Sequence, residues 1–170
     1  MNWELITNIT LAISILSLTV FALLGLYQWI TRKSLKKVDA RLLCVPIPLL
    51  IMVGIYFLFN NVLIINTRPD GSGVSSFPSS HVMTVATIFF IITIMLPKYI
   101  KSRATRTILD IIMVILISLT CVGRVLSSLH YPIDVIGALA FAFIFSEIYY
   151  LMIHKIEKGK HHAKPVYEDN

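Results

Sequence analysis

The sequence predicts an all-α, polytopic membrane bundle of five transmembrane helices, and three observations predict it. Of the 170 residues 56% are hydrophobic and 14% charged, too apolar a balance for a soluble domain of this length. The apolar residues are gathered into five blocks: Leu5–Ile30, Leu42–Ile65, Val82–Leu96, Ile108–Val122 and Ile133–Ile153. The basic residues, in turn, are confined almost wholly to every second connection between blocks. A helix needs about 20 apolar residues to cross a ~30 Å hydrocarbon core. Polar flanks lengthen the short third and fourth blocks, so the expected spans are 5–30, 42–65, 80–97, 107–124 and 131–153. Residues 1–154 are expected to form one membrane domain, and the polar segment 155–170 a disordered cytoplasmic tail.

Span one carries Trp3 and Trp29 near its two ends, where aromatic anchors meet the membrane interfaces. Glu4 stands where a signal peptide would be basic, and no small-residue cleavage site follows, so this block reads as a scaffold in contact with lipid. Span two opens with CVPIPLL, where Pro46 and Pro48 bend or delay the helix start. It ends in FNNVLIINTRPDG, which carries Asn60 and Asn61 to the outer region of the bilayer. The next connection, TRPDGSGVSSFPSSH, is rich in turn formers; Ser79 or Ser80 is the expected N-cap of span three, with His81 in its first turn. A helix start offers free N–H groups and partial positive charge to a phosphate, although Ser-rich starts are common without one. In span four, Asp110 lies one turn from Arg106 and is expected to pair with it. Cys44 and Cys121 fall at opposite ends of their spans, on the order of 25 Å apart in depth, far beyond the ~7 Å Cα limit of a disulfide.

The net charge of +6 does not mark a nucleic-acid binder, because of where the charge sits. The link after span one holds Arg32, Lys33, Lys36, Lys37 and Arg41, and the link after span three holds Lys98, Lys101, Arg103 and Arg106. The segment after span five holds Lys155, Lys158, Lys160 and Lys164, which makes thirteen of the fifteen basic residues on one side of a five-span topology. The positive-inside rule assigns that side, and the C-terminus, to the cytoplasm. Arg68 and Arg124 alone remain for the other side, so neither serves as a topology signal.

The stretch Gly123–Asp134, GRVLSSLHYPID, passes from one apolar block through Arg124, a turn at Ser127 and Ser128, and His130 into the next block. Pro132 suits a first helical position. Asp134, one turn beyond His130, can hold one ring nitrogen and leave the other free to attack, as in triad chemistry. These twelve residues fit equally a polar connection with a capping Asp. Depth adds what the stretch lacks. Asn61, Arg68, Ser79, Ser80, His81, Arg124, His130 and Asp134 all fall at the outer ends of spans two to five. Arginine forks bind phosphate oxygens in bidentate fashion. One oriented imidazole can attack phosphorus while a second protonates the leaving oxygen. The competing reading, a metal held by His81, His130 and Asp134, leaves two arginines repelling the cation.

At these residues the chain resembles the type 2 phosphatidic acid phosphatase superfamily of membrane lipid phosphatases. That family has three motifs: Lys, six residues, Arg-Pro; Pro-Ser-Gly-His; and Ser-Arg, five residues, His, three residues, Asp. Here the first is present as Arg68-Pro69, the second as Pro78–His81 and the third as Arg124, His130 and Asp134 at the required spacing. The resemblance implies that His130 is the nucleophile, oriented by Asp134, and that His81 is the general acid. It implies that Arg68, Arg124, Ser79 and Ser80 hold the phosphate, with no cofactor and no metal. Three positions depart from the pattern: Asn61 replaces the lysine, Ser80 the glycine and Gly123 the serine. Asn61 is expected to contribute an uncharged donor to the pocket. The implied partners are membrane lipids and a lipid phosphate or diphosphate substrate, with no nucleic acid. The implied activity is hydrolysis at the extracytoplasmic face through a phosphohistidine. Undecaprenyl diphosphate is the favoured substrate, and phosphatidylglycerophosphate and phosphatidic acid are the alternatives, as is a relative that binds lipid phosphate without turnover.

Overall fold

A computed structural model describes residues 2–162. The helices are α1 (Trp3–Arg32), α2 (Ala40–Cys44), α3 (Pro46–Asn61), α4 (Ser80–Tyr99), α5 (Arg103–Leu126) and α6 (Pro132–His162), with one turn of 3-10 helix at Leu35–Lys37. α2 and α3 form one span broken at Val45, where Pro46 takes the first position of the new helix. Five spans result, each long and apolar enough to cross a bilayer.

α4 is the axis of the bundle. Eleven of its residues are buried, Val82, Ile88, Phe89 and Met95 among them, because α1, α5 and α6 surround it. α1 behaves in the opposite way. Its buried residues are Thr7, Thr10 and Ser14, while Leu16 and Val20 face outward. Lipid solvates the large apolar side chains, so the helix contact is made by small and hydroxyl residues. Thr10 and Thr120 share a hydroxyl hydrogen bond of 2.7 Å across the α1–α5 contact. A Cβ on Gly123 would stand 2.6 Å from Thr7 Cγ2, so glycine at the family's serine position permits this approach.

Three expectations are corrected. Span two was expected to run to residue 65, but α3 ends at Asn61. Residues beyond it leave the helix to build a short hairpin: Arg68 N–H bonds the Val74 carbonyl and Ser76 N–H the Asn66 carbonyl, both at 2.9 Å. The disordered tail from residue 155 is also overturned as far as His162, where α6 ends; 163–170 lie outside the described residues. The added turns have a cause, since Arg41 grips Glu157 through two hydrogen bonds of 2.9 and 3.2 Å and Ile153 packs into the core beside Val38 and Leu42. Asp110 accepts from the Thr93 hydroxyl at 3.0 Å, and it forms no ion pair with Arg106. Both cysteines are free.

Candidate active site

The connection between α3 and α4 is clamped over one end of the bundle by aromatic rings. Phe77 meets Phe59 edge-on at 5.3 Å, and Phe59 meets Phe141 of α6 at 5.6 Å. Gly137 is the floor under Phe77, where an added Cβ would lie 2.3 Å from the ring. Gly71 and Gly73 supply the positive φ angles of the turn, at 77° and 72°. This clamp sets the carbonyl of Ser76 against the α5–α6 connection.

That connection turns sharply at Ser128, whose φ is 55°. His130 N–H returns to the Arg124 carbonyl at 3.2 Å, and Pro132 begins α6. Asp134 reaches back to accept from Tyr131 N–H at 2.8 Å, the return half of a capping box. His130 is thereby fixed and almost wholly buried. Its Nδ1 lies 2.8 Å from the Ser76 carbonyl oxygen and 3.7 Å from Asp134 Oδ2. Since the carbonyl can only accept, Nδ1 carries the proton and Nε2 keeps its lone pair. Nε2 lies 3.2 Å from an Arg124 terminal nitrogen, which donates to it. Burial first, and the Arg124 charge second, lower the His130 pKa to about 4. The ring is therefore neutral at physiological pH. Asp134, expected to be the orienting group, caps α6 and stands 3.7 Å from Nδ1, farther than the Ser76 carbonyl.

Around His130 stand Arg68, Arg124, Ser79 and Ser80, at the end of the bundle where the sequence places them. Ser79 is the N-cap of α4, but its hydroxyl does not cap the helix. Ser79 Oγ, Arg68 Nε and Arg124 Nε are buried donors with no hydrogen-bond partner among the described residues. Buried polar groups are rarely left so, and three donors converging beside a neutral imidazole fit an anion. The cavity here measures about 120 Å³ and is lined by Tyr56, Asn60, Arg68, Ser80 and His130, among others.

Two placements differ from expectation. Asn61 is exposed and donates to the Phe57 carbonyl of its own helix at 3.0 Å. Because α3 stops there, it is Asn60 that faces the cavity. His81 is half-buried in the first turn of α4, and its Nε2 lies 2.9 Å from Asn8 Oδ1. α1 thus supplies a site neighbour as well as scaffold. Sequence reasoning missed Asn8, Asn60 and Ser76: the first lies on a helix that carries no motif, and the last acts through its backbone. No group of three His, Cys, Asp or Glu is arranged to hold a metal among the described residues.

Comparison with known proteins identifies the class to which this membrane bundle belongs. Residues 62–158 match the PAP2 superfamily, so the chain belongs to that family and is a membrane phosphatase of the PAP2 type. In fold it is similar to the crystal structure described as the first transmembrane PAP2 type phosphatidylglycerolphosphate phosphatase, from Bacillus subtilis. The two align with a TM-score of 0.59 and 23% identity, covering 98% of this chain and 79% of the other. No curated protein matches the sequence.

Proposed function

We propose that the protein removes the terminal phosphate of a membrane lipid phosphate through a phosphohistidine on His130. The observation that carries this reading is the tautomer: Nδ1–H is given to the Ser76 carbonyl, so the Nε2 lone pair faces the buried Arg124. Arg124, which donates to Nε2 in the free protein, turns its donors to the incoming phosphoryl oxygens together with Arg68 and Ser79. Nε2 then forms a bond to phosphorus as the bond to the leaving oxygen breaks, and His81 gives that oxygen a proton. In the second half, water attacks phosphorus, its proton passes to His81, and the N–P bond breaks to release inorganic phosphate. Positioning and charge stabilisation supply most of the rate, as is general for phosphoryl transfer.

An apolar cleft of about 180 Å³ lined by Met52, Val53 and Met83 adjoins the phosphate cavity through Tyr56 and Ser80. It suits the first carbons of a lipid tail. The fold neighbour's described substrate favours phosphatidylglycerophosphate over undecaprenyl diphosphate, the lipid favoured from sequence. We assign the site to the extracytoplasmic face, because the basic connections that follow α1 and α4, and Lys155 and Lys158 of α6, lie toward the other end. Phosphate release by purified protein from phosphatidylglycerophosphate, phosphatidic acid and undecaprenyl diphosphate tests the reading. The first should give the highest kcat/KM, and failure to hydrolyse any of them would overturn the proposal.

A further inference from the structure

The end of the bundle opposite His130 carries a second built feature. A polar cavity of about 530 Å³ opens where α1, α2, α4 and α6 meet, with Arg32, Lys36, Lys37 and Lys98 on its walls. Its two carboxylates are already engaged. Asp39 accepts from Arg41 N–H at 3.0 Å and from the Tyr99 hydroxyl at 2.9 Å, and Glu157 is held by Arg41. None of the three lysines forms an ion pair among the described residues. With Arg41, five basic side chains line the cavity against these two carboxylates, which leaves it net positive. It meets, at Val38, an apolar groove of about 540 Å³ that rises along the membrane-spanning faces of α1 and α3 past Trp29, Gly25, Phe21 and Leu49. Gly25 keeps this groove open: a Cβ there would only touch Leu42, at 3.6 Å, and anything larger would project into the space.

A cationic cup at the membrane interface joined to an apolar trough in the membrane has the polarity of one molecule class. We infer that this end of the bundle binds an anionic glycerophospholipid, its headgroup phosphate among Lys36, Lys37 and Lys98 and an acyl chain along the α1–α3 groove. Charge complementarity selects the headgroup, and the groove selects a lipid over a free anion. The bound lipid would tie α1 to α2 and α3 across the gap that the protein itself leaves open.

The full chain, purified and exchanged into nanodiscs of phosphatidylcholine with a minor fraction of phosphatidylglycerol, gives the test by native mass spectrometry of retained lipid. Wild type should retain one phosphatidylglycerol in preference to phosphatidylcholine. Combined Lys36→Gln, Lys37→Gln and Lys98→Gln should abolish the preference, at about fivefold for each charge removed. Gly25→Phe should weaken retention of both lipids with the headgroup preference intact, and Arg68→Ala, which impairs the phosphate site at the other end, should leave retention of the lipid at this end as in wild type. Three results would each overturn the inference: equal retention of both lipids by wild type, displacement of the lipid by soluble glycerol phosphate, or loss of retention in Arg68→Ala. Unchanged retention in both the lysine and Gly25 variants would do the same. The lysine and groove variants are independent, so misfolding of one leaves the other to decide.

Discussion

The carbonyl oxygen of Ser76 lies 2.8 Å from His130 Nδ1, while the carboxylate four residues after the histidine stands off at 3.7 Å. A backbone group clamped by Phe77 and Gly137 thus sets the tautomer of the imidazole. Asp134 completes the cap of α6 and adds a longer-range electrostatic hold on the ring.

This division of labour predicts a mild phenotype at Asp134. Where a carboxylate alone sets the tautomer, its loss costs about 10⁴ in kcat. Here Asp134→Asn should cost roughly 10- to 100-fold, because the Ser76 carbonyl still holds Nδ1–H. Steady-state kinetics beside His130→Ala, which should be inactive, checks this; equal losses would restore the carboxylate to the leading role.

Gly137→Ala should damage the site from a distance. The new methyl would meet the Phe77 ring at 2.3 Å and lift the connection that carries Ser76. Overpacking of this kind costs about 1–3 kcal/mol. Thermal unfolding should shift down, and kcat should fall further than the stability loss alone accounts for.

Asn8 should behave as a partner of His81. Asn8→Ala removes the acceptor 2.9 Å from Nε2 and frees the ring to turn. Turnover of a lipid phosphate, whose alkoxide needs a proton, should drop about tenfold. An aryl phosphate with a good leaving group should react nearly as before. Equal losses on both would exclude a role through the general acid.

The pH profile follows from burial. With the His130 pKa lowered to about 4, the nucleophile stays neutral until the medium is strongly acid, so the acid limb of kcat/KM from this group falls near pH 4 rather than near 6.5. Between those values the unfolded chain binds a proton that the folded protein refuses, so stability rises with pH across that window and is lost as pH falls through it. An acid limb near 6.5 would contradict the lowered pKa of His130.

Much of this was legible in the sequence because lipid makes strong demands. Five apolar blocks and one-sided basic connections led to the five spans, and the shared depth of Arg68, His81, Arg124 and His130 led to the site. What sequence could not supply were contacts between elements remote in the chain. Ser76 acts through a carbonyl, which no side-chain motif encodes, and Asn8 reaches His81 across 73 positions. The end of α3 was misjudged because Val62–Ile65 is as apolar as a helix interior, whereas the hairpin hydrogen bonds beyond it favour an early stop. A helix continued through Ile65 would put Asn61 on the Arg68 face, whereas the early stop leaves Asn60 at the cavity. Asn61→Lys should accordingly leave the constants unchanged, whereas Asn60→Ala, which removes an amide from the cavity, should weaken substrate binding by roughly tenfold or more.

In the proposed reaction Nε2 of His130 carries the phosphoryl group. Rapid quenching of turnover with labelled lipid phosphate, followed by peptide mapping and phosphorus NMR of the trapped protein, tests it directly. One base-stable, acid-labile phosphate should be found on Nε2 of His130, formed and discharged at rates that support kcat and missing in His130→Ala. Label on Nδ1 or on His81, or full turnover with no trapped phosphate at all, would contradict it.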